Sequence, residues 1–227
     1  MKTWIDLTDR VAMKFDVERM TQEIRQFESS GWLEHYDPGL SSGWRAILLK
    51  SRGGDISGPE AQRPDWDFSK YQRTPHVDKL PYFREIMDFF KCPQGRVRIL
   101  KLQPGAGIGV HRDVRAEVGC VAFGQVRLHI PIITNDKVIF HVDGQRLHMK
   151  PGRLYYVDFS KKHFVRNDGT EARLHLVMDL KVDDWLGSFF PPLTLAEKLQ
   201  AAWMRMTYPA FWKIYMEIGR ASCRERV

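Results

Sequence analysis

Apolar residues recur at near-helical spacing between residues 11 and 30, where Phe15, Val17, Met20, Ile24 and Phe27 are separated by acids and bases, so the spacing predicts an amphipathic helix. A second helix is predicted over residues 82–91, with Phe83, Ile86, Met87 and Phe90 on its apolar side and Cys92-Pro93-Gln94-Gly95 ending it. Between the two, residues 44–50 read as a strand. Residues 53–75, rich in Gly, Pro and Asp, are too long for a simple connection and read as a loop over a site or an insertion. From Arg96 the period changes. Short β-rich runs follow one another between turn signals, roughly one every ten residues, which predicts an antiparallel sandwich or barrel with the helices packed outside it. Asp143-Gly144 is a two-residue hairpin signal, and Pro151-Gly152 turns the chain into the run Leu154-Tyr155-Tyr156-Val157-Asp158-Phe159. Residues 194–206 are helical in pattern, with Thr194 as N-cap and Glu197 in capping-box position.

Composition narrows the class only a little. With 227 residues, 43% hydrophobic and 28% charged, the chain fits one globular domain. The net charge of +7 comes from scattered lysines and arginines without a basic block, so a solvated surface is expected and not a nucleic-acid interface. Cys92, Cys120 and Cys223 have no metal or disulfide spacing, which points to a reducing cytoplasm. No apolar run approaches the roughly 18 residues that a membrane span needs, and the first residues do not form a signal peptide.

The candidate chemistry centres on His111-Arg112-Asp113. On a strand, residues two apart share a face, so His111 and Asp113 can close on one ion. His163, which follows one strand-like run and begins the segment leading to the next, is the candidate third ligand. Two histidines and one carboxylate with open positions suit non-haem Fe(II). If Asn167-Asp168-Gly169 forms a three-residue hairpin loop, His163 and Arg173 stand opposite each other with Cβ atoms roughly 4.5–5.5 Å apart; a two-residue turn would shift that register. Arg173 is then a cation for the far carboxylate of a dicarboxylate chelating the metal. Arg127 and His129 share one strand face and Leu128 and Ile130 the other, so a polar pair is directed inward. His175 and Asp179 are read as inward-facing support, while His35, His76, His141 and His148 have no partner pattern and are read as structural.

The ordered set Gln103-Pro104-Gly105, His111-x-Asp113, Arg127-x-His129, His163, Asn167 and Arg173-x-His175-Leu176 resembles the aspartyl/asparaginyl β-hydroxylase family of 2-oxoglutarate-dependent oxygenases. The resemblance implies a double-stranded β-helix, a cupin-like jelly-roll, mainly β with flanking helices. It also implies Fe(II), 2-oxoglutarate and O2 as cofactors, with ascorbate supportive, and release of succinate and CO2. It places Arg127 and His129 at the co-substrate carboxylate nearest the metal, with Arg173 and His175 completing the co-substrate set. Two departures stand out. Animal members, membrane-anchored in the secretory pathway, lack the acidic ligand that Asp113 supplies here, as it does in bacterial members. The family's hydroxyl-bearing co-substrate contact falls at Leu100, which has no hydroxyl.

The expected layout has residues 1–95 packing helices and strands on the core, 96–183 forming the catalytic jelly-roll, and 184–216 forming a truncated helical segment. Residues 217–227 match the translation of a common sequencing-library adapter and are set aside as an artefact. The expected substrate is a small molecule, an amino acid or a relative of one. Charges at Arg63, Asp65, Asp67, Lys70 and Arg73 on the 53–75 segment are able in principle to read its ammonium and carboxylate. The alternatives are a peptidyl Asp or Asn substrate, a non-catalytic cupin-like binding module, and a zinc hydrolase, against which no additional general base accompanies the ligands.

Overall fold

The computed structural model describes residues 2–27, 31–34, 41–65, 67–113, 120–199, 201–203 and 206. Eleven strands are present among them: β1 (Trp4–Asp6), β2 (Leu33–Glu34), β3 (Ser41–Arg52), β4 (Tyr71–Arg73), β5 (Gln94–His111), β6 (Gln125–Ile133), β7 (Val138–Val142), β8 (Gln145–Arg146), β9 (Tyr155–Val157), β10 (His163–Asn167) and β11 (Arg173–Lys181). The helices include α1 (Val17–Arg25), α2 (Gly58–Gln62), α3 (Pro81–Phe89) and α4 (Asp184–Gly187), and residues 195–199 are helical as well.

The long strand β5 organises the fold because it belongs to two layers. Its first half, through Leu102, lies between β3 and β11, and beyond β11 the sheet continues through β6 to β9 and β1. From Gly107 onward β5 pairs instead with β10, which carries β7 and then β8. The partner changes across Gln103-Pro104-Gly105-Ala106, where Gly105 adopts φ 73°, a left-handed conformation that glycine takes without a Cβ penalty. The two four-strand orders β5-β11-β6-β9 and β5-β10-β7-β8 make a double-stranded β-helix, the expected jelly-roll. All the strand pairings among the described residues are antiparallel.

Alternation along the strands divides the interior in two. Leu128 and Ile130 on β6, with Leu176, Met178 and Leu180 on β11, are buried on the outer face of the larger sheet, where Met20 and Ile24 of α1 and Phe83, Ile86 and Met87 of α3 supply apolar side chains. The opposite face encloses Trp44, Leu100, Leu102, Phe140, Tyr155, Phe159 and Val177, and it also carries the polar residues of the site.

Several elements differ from their sequence pattern for local reasons. Helix α1 starts at Val17, not at residue 11, because Asp16 stands at its N-cap and accepts the Arg19 amide at 3.0 Å, a contact worth about 1 kcal/mol. Residues 53–75 are not an open loop: they contain α2 and return as β4 along β3. Their charges are satisfied locally, through Arg63–Glu60, Lys70–Asp65, Lys70–Asp67 and Arg73–Asp88 pairs. Asp143 (φ 51°) and Gly144 (φ 77°) make the expected tight turn between β7 and β8. No helix among the described residues is long and apolar enough to cross a membrane.

The residues after Phe190 form a second compact unit. In it, the Glu197 carboxylate accepts the Thr194 amide at 2.8 Å while the Thr194 hydroxyl accepts the Glu197 amide at 3.3 Å, the reciprocal bonds of a capping box. Residues 207–227, including the adapter-like stretch, lie outside the described residues.

Candidate metal centre and the buried cluster behind it

His111 ends β5 and His163 begins β10, and the two are cross-strand partners. Their rings lie 4.1 Å apart between centroids. Strand β5 stops at His111, so Asp113 reaches the pair without strand alternation: its amide donates to the Phe159 carbonyl at 3.0 Å, which turns the carboxylate inward. Asp113 Oδ1 lies 3.8 Å from His111 Nε2 and 3.9 Å from His163 Nε2. Among the described residues these three form the group whose ligand atoms converge, all within 4.8 Å of one another.

The donor set fits a divalent ion on its own chemistry. His111 Nδ1 donates to the Gly109 carbonyl at 2.7 Å and His163 Nδ1 to the Lys161 carbonyl at 2.9 Å. A carbonyl only accepts, so both Nδ1 atoms carry a proton and each Nε2 is the nitrogen that faces Asp113. Burial pushes the His163 pKa down to about 4, so its imidazole is neutral at pH 7.

Behind the triad lies a cluster of buried charge. Arg127 on β6 donates through Nη1 to Asp113 Oδ2 and through Nε to Asp179 Oδ1 at 2.6 Å. Asp179 on β11 also receives Arg96 at 2.8 Å and lies 3.6 Å from Arg98, both on β5. Despite complete burial, these arginines hold the Asp179 carboxyl far below the usual carboxylate range. Arg96 and Arg98 were not singled out from the sequence, although a signal existed: in Arg96-Val97-Arg98-Ile99 the arginines alternate with residues buried against the helices, so both must face inward.

Deeper still, Arg173 Nη2 donates to His175 Nδ1 at 2.9 Å, and His175 Nδ1 lies 3.3 Å from His129 Nδ1. Burial foremost, reinforced by the Arg173 charge, holds both imidazoles well below the ordinary histidine range. Each is left with a buried Nε2 that has no hydrogen-bond partner among the described residues. Arg173 is 4% exposed and makes no ion pair among the described residues, and burial alone pushes its pKa down to about 9. A narrow cleft bounded by Val138, Phe140, Leu147 and Met149 reaches Arg173 and His175.

The expected pairing of His163 with Arg173 does not occur. β10 pairs with β5 and β7, and β11 with β5 and β6, so the two strands lie in different layers. The 168–172 connection is a corner between sheets and not a hairpin, braced by the buried Asn167 amide, which donates to the Leu102 carbonyl at 3.1 Å and the Glu171 carbonyl at 2.7 Å. Leu100, where the resembled family has a hydroxyl, pairs with His175 and belongs to the apolar interior. His76 packs edge-on to Phe27 and His141 stacks on Phe164; His148 lies 3.6 Å from Asp136 and lines the cleft that reaches Arg173 and His175, and His35 lies outside the described residues.

A two-histidine, one-carboxylate set inside a double-stranded β-helix defines the class, and the sequence assigns it: the model of the aspartyl/asparaginyl β-hydroxylase family matches residues 12–182, and the chain belongs to that family. Among its relatives are the L-proline cis-4-hydroxylase of Rhizobium meliloti (strain 1021), 25% identical over 182 residues, which cover 78% of this chain and 61% of that one. The L-proline cis-3-hydroxylase 1 of a Streptomyces species is 25% identical over 177 residues, 75% of this chain and 59% of that one. The chain thus spans about three fifths of the length of these curated relatives. A solved prolyl-4-hydroxylase from Pseudomonas putida is similar over 80% of this chain and 93% of its own, at 14% identity and a TM-score of 0.45.

Proposed function

We propose that this protein is an Fe(II)- and 2-oxoglutarate-dependent dioxygenase that hydroxylates a free amino acid or a close relative of one, releasing succinate and CO2. His111, Asp113 and His163 would hold Fe(II), which supplies the O2 activation that hydroxylation of an unactivated C–H bond requires. The observation that carries the reading is Arg173, a fully buried guanidinium with no ion-pair partner among the described residues. A buried cation left unpaired is costly, and a ligand carboxylate would complete it. Among the described residues Arg96, Arg98 and Arg127 lie within ion-pair distance of Asp113 or Asp179, whereas Arg173 has no such partner, and His129 and His175 are neutral.

In this reading Arg173 takes the far carboxylate of 2-oxoglutarate, and His175, bonded to it, orients the guanidinium. His129 presents its bare polar edge to the co-substrate along the way. Among the described residues, Asp113 and Asp179 engage three of the five Arg127 N–H donors, and the other two would serve the carboxylate nearest the metal. Phe159, stacked on His129 and edge-on to His163, walls the space against water. A free amino acid is favoured as substrate because the relatives are proline hydroxylases. A reducing cytoplasm suits Cys92 and Cys120, both free and buried.

The test is incubation with Fe(II), ascorbate, O2, 2-oxoglutarate and each amino acid in turn, following succinate and a mass gain of one oxygen. Hydroxylated amino acid with equimolar succinate is expected. Turnover only with an Asp- or Asn-containing peptide overturns the substrate assignment, and iron uptake without any succinate identifies a binding module instead.

A further inference from the structure

Asp113 has two carboxylate oxygens with different surroundings. Oδ1 faces the Nε2 atoms of His111 and His163, and Oδ2 is taken by Arg127. Arg127 is held in turn by Asp179, which accepts from its Nε at 2.6 Å and its Nη2 at 3.4 Å. Asp179 is anchored from the opposite side by Arg96, at 2.8 Å through both Nε and Nη2. The chain Arg96–Asp179–Arg127–Asp113 therefore runs from the first half of β5, across β11 and β6, to the end of the ligand set.

We infer that Asp179 is a positioning residue for the metal site, acting through Arg127 to present a single oxygen of Asp113 to the ion; this rests on the metal-binding reading above. The physical need is specific. Asp113 lies outside any strand and its side chain is 22% exposed, so the β-ladder that fixes His111 and His163 does not fix its carboxylate. An arginine fork can hold one carboxylate oxygen while being held itself by a second carboxylate, and that double engagement removes the rotation of both Asp113 and Arg127. Lysine carries the charge without the fork.

Co(II) is a suitable probe, since its visible absorption reports binding without turnover. In the full chain, Asp179→Asn and Arg127→Met are each expected to weaken Co(II) binding about ten- to hundredfold, a usual effect of losing an outer hydrogen-bond partner of a ligand. Because the two residues act in series, the double variant is expected to bind no more weakly than the worse single variant. Arg127→Lys should fail to restore affinity, although a purely electrostatic role would survive it. Arg127→Met leaves Asp179 with Arg96 and Arg98, so it decides the first link even where Asp179→Asn does not fold; circular dichroism of each variant separates lost fold from lost positioning. Wild-type Co(II) affinity in Arg127→Met, or strictly multiplicative losses in the double variant, overturns the positioning chain while leaving the metal reading intact. No Co(II) uptake by the wild type, in contrast, overturns the metal reading and this role with it.

Discussion

His163 stands directly across from His111 in the β5–β10 ladder, and each donates its Nδ1 proton to a carbonyl two residues earlier in the chain. The ring orientations are thus set by backbone before any ion arrives, with both Nε2 atoms facing the Asp113 carboxylate. The ladder holds the histidines, and side-chain contacts hold the carboxylate.

Asp113→Ala is expected to abolish Fe(II) retention while costing the apo fold only about 1–2 kcal/mol, because Arg127 keeps its bonds to Asp179. Equilibrium dialysis with metal analysis, beside a urea unfolding curve, reads both quantities. Unchanged iron content in this variant would remove Asp113 from the ligand set.

Arg173→Met is expected to raise the KM for 2-oxoglutarate by about thirtyfold or more, the loss of a buried charge-assisted pair, with a smaller effect on kcat. The same substitution should leave the apo protein as stable as the wild type or more so, since an unpaired buried cation is replaced by an apolar side chain of similar length. Thermal unfolding with and without 2-oxoglutarate separates the two effects. A variant still stabilised by 2-oxoglutarate to the wild-type extent would show that the carboxylate binds elsewhere.

His129 and His175 have folded-state pKa values far below their unfolded ones, through burial first and neighbouring positive charge second. Below pH 6.5 the unfolded chain takes up protons that the native imidazoles refuse, so stability falls as pH drops from about 6.5 toward the folded values, by about 1.4 kcal/mol per pH unit for each imidazole. Urea midpoints of the apo protein at pH 7.5, 6.5 and 5.5 should trace this loss. Replacing both histidines with glutamine should reduce the slope and leave the share of His163, whose pKa burial also lowers; an unchanged slope in that double variant would assign acid sensitivity to other groups.

Burial pushes the Cys92 thiol up to about 12 and the Cys120 thiol up to about 11, so almost no thiolate exists at either site at pH 8. Iodoacetamide is expected to leave both unmodified in the native protein and to label both in denaturant, mapped by peptide mass. Rapid native labelling of Cys120 would show local opening beside the 3-10 turn that follows it.

Much of this was legible in one dimension because it depends on short-range chemistry. The two-residue period after Arg96, the Asp143-Gly144 turn, the Thr194–Glu197 capping box and the inward pairing of Arg127 with His129 follow from alternation and local hydrogen bonding, which a linear sequence carries. The ordered motif from His111 to His175 likewise named residues that the fold gathers in one interior. Tertiary structure alone decided the rest, since it concerns which strands become neighbours. His163 meets His111 and not Arg173 because β5 turns at Gly105 into a second layer and the 168–172 corner carries the chain back to the first. The link from Arg96 through Asp179 and Arg127 to Asp113 joins residues from three strands and a loop, so no spacing in the chain could reveal it. Charges on residues 53–75 that looked available for a ligand meet partners within the fold, Arg63, Asp65, Asp67 and Lys70 inside the segment and Arg73 at Asp88.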